Sequence, residues 1–258
     1  MNDELLYTLK RFLDLSRQAD RKGIVMFSDF LSLGEQAVLR QNSGKLASAF
    51  RLSGGYDYAE RQMAAFIPDA FLYVQDAEDE PAWDYPFRCL RICPRHPKFA
   101  EKLTHRDVLG ALMSLGIERS RLGDLIVDDE NVLVFAQQGV VPYLMDNLVT
   151  VRHTAVTLTE LSERQISYEP RFEKREAIVT SNRLDAVIAA ICKTSRSASL
   201  KLISEGKVFV NGVESLHNSY YCKQGDVLSI RGYGKVRFEE ILGTTKKDRL
   251  KFSYKIYS

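Results

Sequence analysis

Long apolar runs are missing from this chain of 258 residues: the longest, such as Ala186–Cys192, fall far short of the roughly 20 residues a membrane helix needs. The N-terminal stretch MNDELLYTLKRFLDLSRQADRKG sets acids before its apolar positions and has no apolar core run, so it does not read as a signal peptide. Four cysteines are too few for a disulfide framework at this length, which points to a reducing cytoplasm. No GxxxxGK[ST] or GxGxxG phosphate loop occurs, and Gly54-Gly55 reads as a turn. No Ser/His/Asp triad is identifiable. Cys89, Cys93, His96 and His105 have CxxxC spacing, with prolines at 94 and 97 between the candidate ligands. Structural zinc sites favour paired CxxC spacing, so these residues read as buried cysteines with surface histidines. No cofactor, no metal and no small-molecule substrate are expected, and a monomer is.

What is present is an uneven charge. The net charge is only +2, yet residues 181–258 hold 14 Lys and Arg against 7 Asp and Glu, while the remainder is net acidic. A basic C-terminal part on an otherwise acidic chain points to a polyanionic partner for that part.

Along the chain, residues 1–42 read as helical, with Leu5, Leu6, Leu9, Phe12 and Leu13 on one face and a second amphipathic segment after Asp29. A Gly-Gly turn divides two short segments within 44–68. The acidic DAEDEPAWDYP reads as a long loop. Residues 87–160 then give strand, helix, two strands, helix and strand. The first helix opens on a Thr104/Asp107 capping box and ends at Gly116, and the second is weakened by Pro142. This βαββαβ order is the split-βαβ arrangement. Aromatics spaced to stack RNA bases are absent from NVLVFA. Residues 168–182 are polar and read as a linker to the C-terminal part, with room for a short strand. Asn182 and Asp185 form a second capping-box pattern, followed by a Leu184, Val187, Ile188, Ile191 stripe.

The most informative stretch is TSRSASLKLISEGKVFVNG, residues 194–212. Thr194 or Ser195 suits a helix N-cap, Gly206 a left-handed C′ position, and Asn211-Gly212 a type I′ turn after a short strand. Ser197, Lys201 and Ser204 share the face away from Ala198 and Leu202. Arg196 in the first turn opposes the helix dipole, which points to a use other than stability, so its removal is expected to leave the fold intact. Hydroxyls, free N–H groups and a guanidinium at a helix start suit a phosphate, and Arg183, Lys193, Lys207 and Arg231 add cations.

RLDAVIAAICKTSRSASLKLISEGKVFVNG, with GDVLSIRGYGK downstream, resembles the S4 domain, a small RNA-binding module with an αL motif. By position the resemblance implies RNA contacts at Arg183, Ser195, Arg196, Ser197, Lys201, Lys207 and Asn211, with Arg231 and Lys235 at its end. Together with GGYDYAERQMAAFIP and LTHRDVLGALMSLGIERSRLGDLIVDD, the chain is similar to the YlmH family of bacterial S4-domain proteins. That resemblance implies a cytoplasmic, ribosome-associated factor that binds rRNA of the large ribosomal subunit and tRNA during rescue of stalled subunits, with an operon link to cell division. The implied fold class is α+β: an α-rich segment at 1–80, an RRM-like or ferredoxin-like central domain at 81–168, a linker at 169–180 and an S4 domain at 181–258.

Two further readings concern chemistry. NRLD at 182–185 shares three letters with the catalytic Gly-Arg-Leu-Asp loop of pseudouridine synthases, but it lacks the glycine and opens an apolar helix, so no enzyme activity is expected. His105, Arg106, Arg119 and Arg121 flank one helix and are candidates for a second RNA contact. The alternative function is a protein-interaction adaptor in cell division with the S4 domain as its RNA anchor; the acidic N-terminal part fits it, since such a surface suits RNA backbone poorly.

Overall fold

The computed structural model describes residues 3–72, 84–128, 132–162, 166, 168, 170, 172–215 and 217–257. They form a mixed α+β protein in two compact units, residues 1–168 and 169–258. Most of the acidic DAEDEPAWDYP stretch, and the Asp-Glu-Asn turn at 129–131, lie outside the described residues.

The first unit runs α1 (Asp3–Lys22), β1 (Met26–Leu31), α2 (Leu33–Gln41), β2 (Ala49–Ser53), β3 (Gln62–Ile67), α3 (Asp69–Leu72), β4 (Phe87–Pro94), α4 (His105–Ser114), β5 (Leu122–Val127), β6 (Val132–Gln137), α5 (Val141–Asn147), β7 (Thr150–Val151) and β8 (Thr154–Leu161). The expectation of continuous helix over 1–42 fails at β1. Gly23, at φ +63°, ends α1, and the apolar run after it pairs with β3 in a three-stranded sheet. Ser32 then caps α2 in a capping box with Glu35. Leu9 and Phe12 are buried as expected, whereas Leu6 is exposed.

The central sheet has the strand order β5-β6-β4-β8-β7, every neighbouring pair antiparallel. Thr104 and Asp107 form the expected capping box on α4. Pro142 lies in the first turn of α5, where its missing N–H breaks no helical bond; it opens that helix and does not weaken it. Both faces of the sheet are covered. On one, Leu90, Val134 and Ala136 pack with Val108, Leu112 and Leu144 of the helices. On the other, Cys89, Leu133 and Phe135 pack with Phe30 and Met63 from the N-terminal part. Tyr56 stacks on Phe135 at 5.3 Å, and Phe30 lies 5.3 Å from Phe87. Polar bonds reinforce this cover. Asp124 accepts from Tyr56 Oη at 2.7 Å, from the Glu60 amide at 2.7 Å and from the Arg61 amide at 3.0 Å.

The second unit comprises β9 (Phe172–Val179), α6 (Leu184–Ile191), α7 (Arg196–Ser204), β10 (Val208–Val210), β11 (Val213–Glu214), β12 (Val227–Ile230), β13 (Gly234–Thr244) and β14 (Leu250–Tyr257). Its strands form one sheet in the order β11-β10-β12-β13-β14-β9. Residues 169–180, read as a linker, therefore supply an edge strand, because β9 pairs along its whole length with β14. Alternation sends Val208, Val210, Leu228, Ile230, Val236, Phe238, Phe252 and Tyr254 to the face that packs against Leu184, Val187 and Ile188 of α6 and Ile203 of α7.

Candidate nucleic-acid interface

The α6–α7 corner is built around Asp185, only 2% exposed. The Asn182/Asp185 capping box does not form. Arg183 holds the N-cap position without a side-chain cap bond, and Asn182 Nδ2 donates to the Cys222 carbonyl at 3.0 Å. Asp185 instead turns inward and accepts from Arg196 Nε at 2.8 Å and Arg183 Nε at 3.2 Å. Burial opposes its charge, but the two guanidiniums outweigh that and hold the carboxyl below the usual carboxylate range. Buried Ser199 ties the second helix to the same residue, donating from Oγ to the Asp185 carbonyl at 2.7 Å.

This corrects the expectation for Arg196. The residue is not spare to the fold, since its Nε is one of the two charges that neutralise a buried carboxylate. Its side chain is still 52% exposed, so it is anchored at Nε yet open to solvent. Ser195 caps α7 by accepting from the Ala198 amide at 3.1 Å, and its Oγ lies 2.9 Å from that of exposed Ser197. Arg183, Ser195, Arg196 and Ser197 thus come together at one helix start. Lys193 is exposed in the turn before it, at φ +50°.

The remaining predicted cations do not join this corner. Past the end of α7, Lys207 Nζ lies 2.7 Å from a Glu205 carboxylate oxygen and Lys201 Nζ lies 3.8 Å from the other. Arg231 and Lys235 belong to the sheet. Arg231 lies over the Phe209 ring at 5.3 Å, and Lys235 over that of Tyr257 at 5.6 Å. Asn211 does structural work: its Nδ2 donates to Asp226 at 2.9 Å, and its Oδ1 accepts from the Val227 amide at 2.9 Å. Its side-chain amide is thus engaged within the fold at both atoms.

The second candidate set separates too. His105 and Arg106 open α4, whereas Arg119 and Arg121 follow its other end. Arg119 donates to the carbonyls of Leu122 and Gly123 at 2.8 and 2.9 Å, and burial, with Arg61 nearby, pulls its pKa down to about 10. Arg121 donates to Gln137 at 2.6 Å and lies 3.8 Å from Asp29, itself paired with Arg11. Arg119 thus serves packing within the first unit, whereas Arg121 stays 48% exposed while paired within it.

Sequence reasoning missed Tyr221, which is 56% exposed and bridges Arg183 through the main chain, and Phe209. Phe209 was legible from its alternation with inward Val208 and Val210, whereas nothing in the sequence marks that Tyr220 Oη donates to Asp226 at 2.8 Å while Tyr221 stays exposed.

Residues 84–165 match the family model described as the putative RNA-binding domain in YlmH. The chain is 30% identical over 246 residues to the ribosome-associated protein quality control protein P2 of Bacillus subtilis (strain 168), covering 94% of this chain and 91% of that protein. Its fold is similar to that of the cell division protein ylmH from Streptococcus pneumoniae, with a TM-score of 0.50 at 20% identity over 65% of this chain and 97% of the other. An identity of that level maintained over nearly the whole of both chains, together with the domain match, means that the chain belongs to the YlmH family.

Proposed function

We propose that the protein is a non-enzymatic RNA-binding factor of the cytoplasm that acts as a monomer on ribosomes. Its α6–α7 corner docks on structured RNA of the large subunit and on tRNA, in the rescue of stalled ribosomes. The observation that carries this reading is the pair of guanidiniums held at one helix start by a buried carboxylate, beside two serine hydroxyls. Pre-set forks of this kind suit phosphate oxygens and base edges, and little side-chain freedom is left to lose on binding. The relative from Bacillus subtilis, named for ribosome-associated quality control, agrees with such a role. On the same reading, residues 169–258 are an S4-type module. The β5-β6-β4-β8 order of the central sheet supports an RRM-like origin for the domain before it.

The test is co-sedimentation with purified large subunits, alongside gradient profiles of cell extract with and without RNase. The wild-type chain is expected with large subunits in an RNA-dependent manner. Arg196→Ala should weaken that binding by about 1–3 kcal/mol, the scale of a charge-assisted contact, and Arg196→Lys should restore only part of it. Migration that ignores RNase, with membranes or division proteins, would overturn the reading in favour of an adaptor.

A further inference from the structure

The six-stranded sheet turns one face to the helices; its other face carries a pattern that the corner does not use. Phe209, Ser229 and Lys235 are successive cross-strand partners on β10, β12 and β13. The row continues through Tyr257, beneath the Lys235 ammonium, to its partner Phe172, whose ring meets that of Tyr257 edge-on at 5.1 Å. A second row lies beside it: Arg237, Lys255 and Lys174 are successive partners on β13, β14 and β9. Lys255 also stands 5.2 Å over the Phe172 ring. At the β10 end, Arg231 covers Phe209 above a groove of about 410 Å³ that includes both residues and Lys235. Glu239, 3.5 Å from both Arg237 and Lys255, offsets part of the positive charge.

We infer that this helix-free face is a second nucleic-acid surface, one that takes single-stranded RNA. The inference rests on the RNA-binding reading above but concerns the opposite side of the same unit. Rings lying under cations, with a further row of cations alongside, suit an unpaired strand: a base stacks on the Arg231 guanidinium plane over Phe209, and on Tyr257 or Phe172 as the lysines above them turn to phosphates. A duplex hides its base faces and would gain nothing from Phe209, Tyr257 or Phe172. Five strands at about 4.8 Å spacing give a platform about 19 Å long, enough for about four nucleotides.

The experiment uses the full chain with two fluorescent probes, an oligouridine of about twelve nucleotides and purified large-subunit rRNA. The variant Lys174→Glu/Arg231→Glu changes two exposed side chains at the ends of the platform. It should lose tenfold or more in oligouridine affinity and keep rRNA affinity within twofold, whereas Arg196→Ala should do the reverse. Thermal unfolding checks that the variant is folded. As a measurement needing no variant, 4-thiouridine in the oligomer should crosslink to peptides containing Phe209 or Tyr257. Unchanged oligouridine affinity in the double variant, or crosslinks confined to the α6–α7 peptides, overturns the inference. Binding of rRNA without oligouridine overturns it and leaves the corner standing, while binding of neither RNA removes both.

Discussion

Asp185 shows how a residue's role depends on what surrounds it. From its position it is a helix-start acid; in the fold it is a buried charge shared by Arg183 and Arg196. Since its folded pKa lies below the unfolded value of about 3.9, the stability it lends is present above that pH and is lost as pH falls through the folded value. Asp185→Asn should therefore cost roughly 1–3 kcal/mol at pH 7 and flatten the decline in stability below about pH 4. Urea unfolding followed by circular dichroism between neutral and acid pH reads both effects, and an unaltered acid slope would remove Asp185 as their source. Asn211 gives a complementary case. Its positive φ was legible from the Asn-Gly pair, but its bonds to Asp226 and Val227 were not, because they join residues far apart in sequence. Asn211→Ala should cost roughly 1–3 kcal/mol in unfolding while the folded fraction binds RNA as before.

At the scale of elements, α7 was the most legible part of the chain, because both of its ends are written locally. Ser195 caps it. At its other end the Lys207 amide donates to the Leu202 carbonyl at 3.0 Å and the Gly206 amide to that of Ile203 at 3.1 Å, the paired bonds of a Schellman motif. Gly206 sits at φ +66°, facing the Glu214 carboxylate. Gly206→Ala should cost about 1–2 kcal/mol, seen as a lower melting temperature, and should loosen the Glu205–Lys207 turn. Elements defined by their partners were harder to read. β9 exposes most of its charged residues and is a strand because β14 offers it eight successive partners. β1 lay concealed behind a helical start, and only its pairing with β3 shows it. Similar capping-box patterns at Thr104/Asp107 and Asn182/Asp185 gave opposite outcomes, since only the second acid has two arginines drawing it inward.

Across the whole molecule, the charge asymmetry coincides with the division into units. Residues 169–258 carry 17 Lys and Arg against 10 Asp and Glu, while residues 1–168 are net acidic. RNA affinity should accordingly fall steeply with salt. If about four to six phosphates are engaged, log K against log salt should have a slope of about −3 to −5. A flat titration would refute the electrostatic basis of the interface.

The two-sided cover of the central sheet also determines where the chain can be cut. The segment that matches the RNA-binding-domain model begins at residue 84 and so omits Phe30, Tyr56 and Met63. Excised alone, residues 84–165 would present Cys89, Leu133 and Phe135 to water as a bare apolar face, and a piece so exposed should self-associate and bind hydrophobic dyes. Residues 1–168, which retain the missing layer, should remain monodisperse. The edge of the RNA-binding-domain match is thus not the edge of the packed unit, whose missing layer reaches back at least to Phe30.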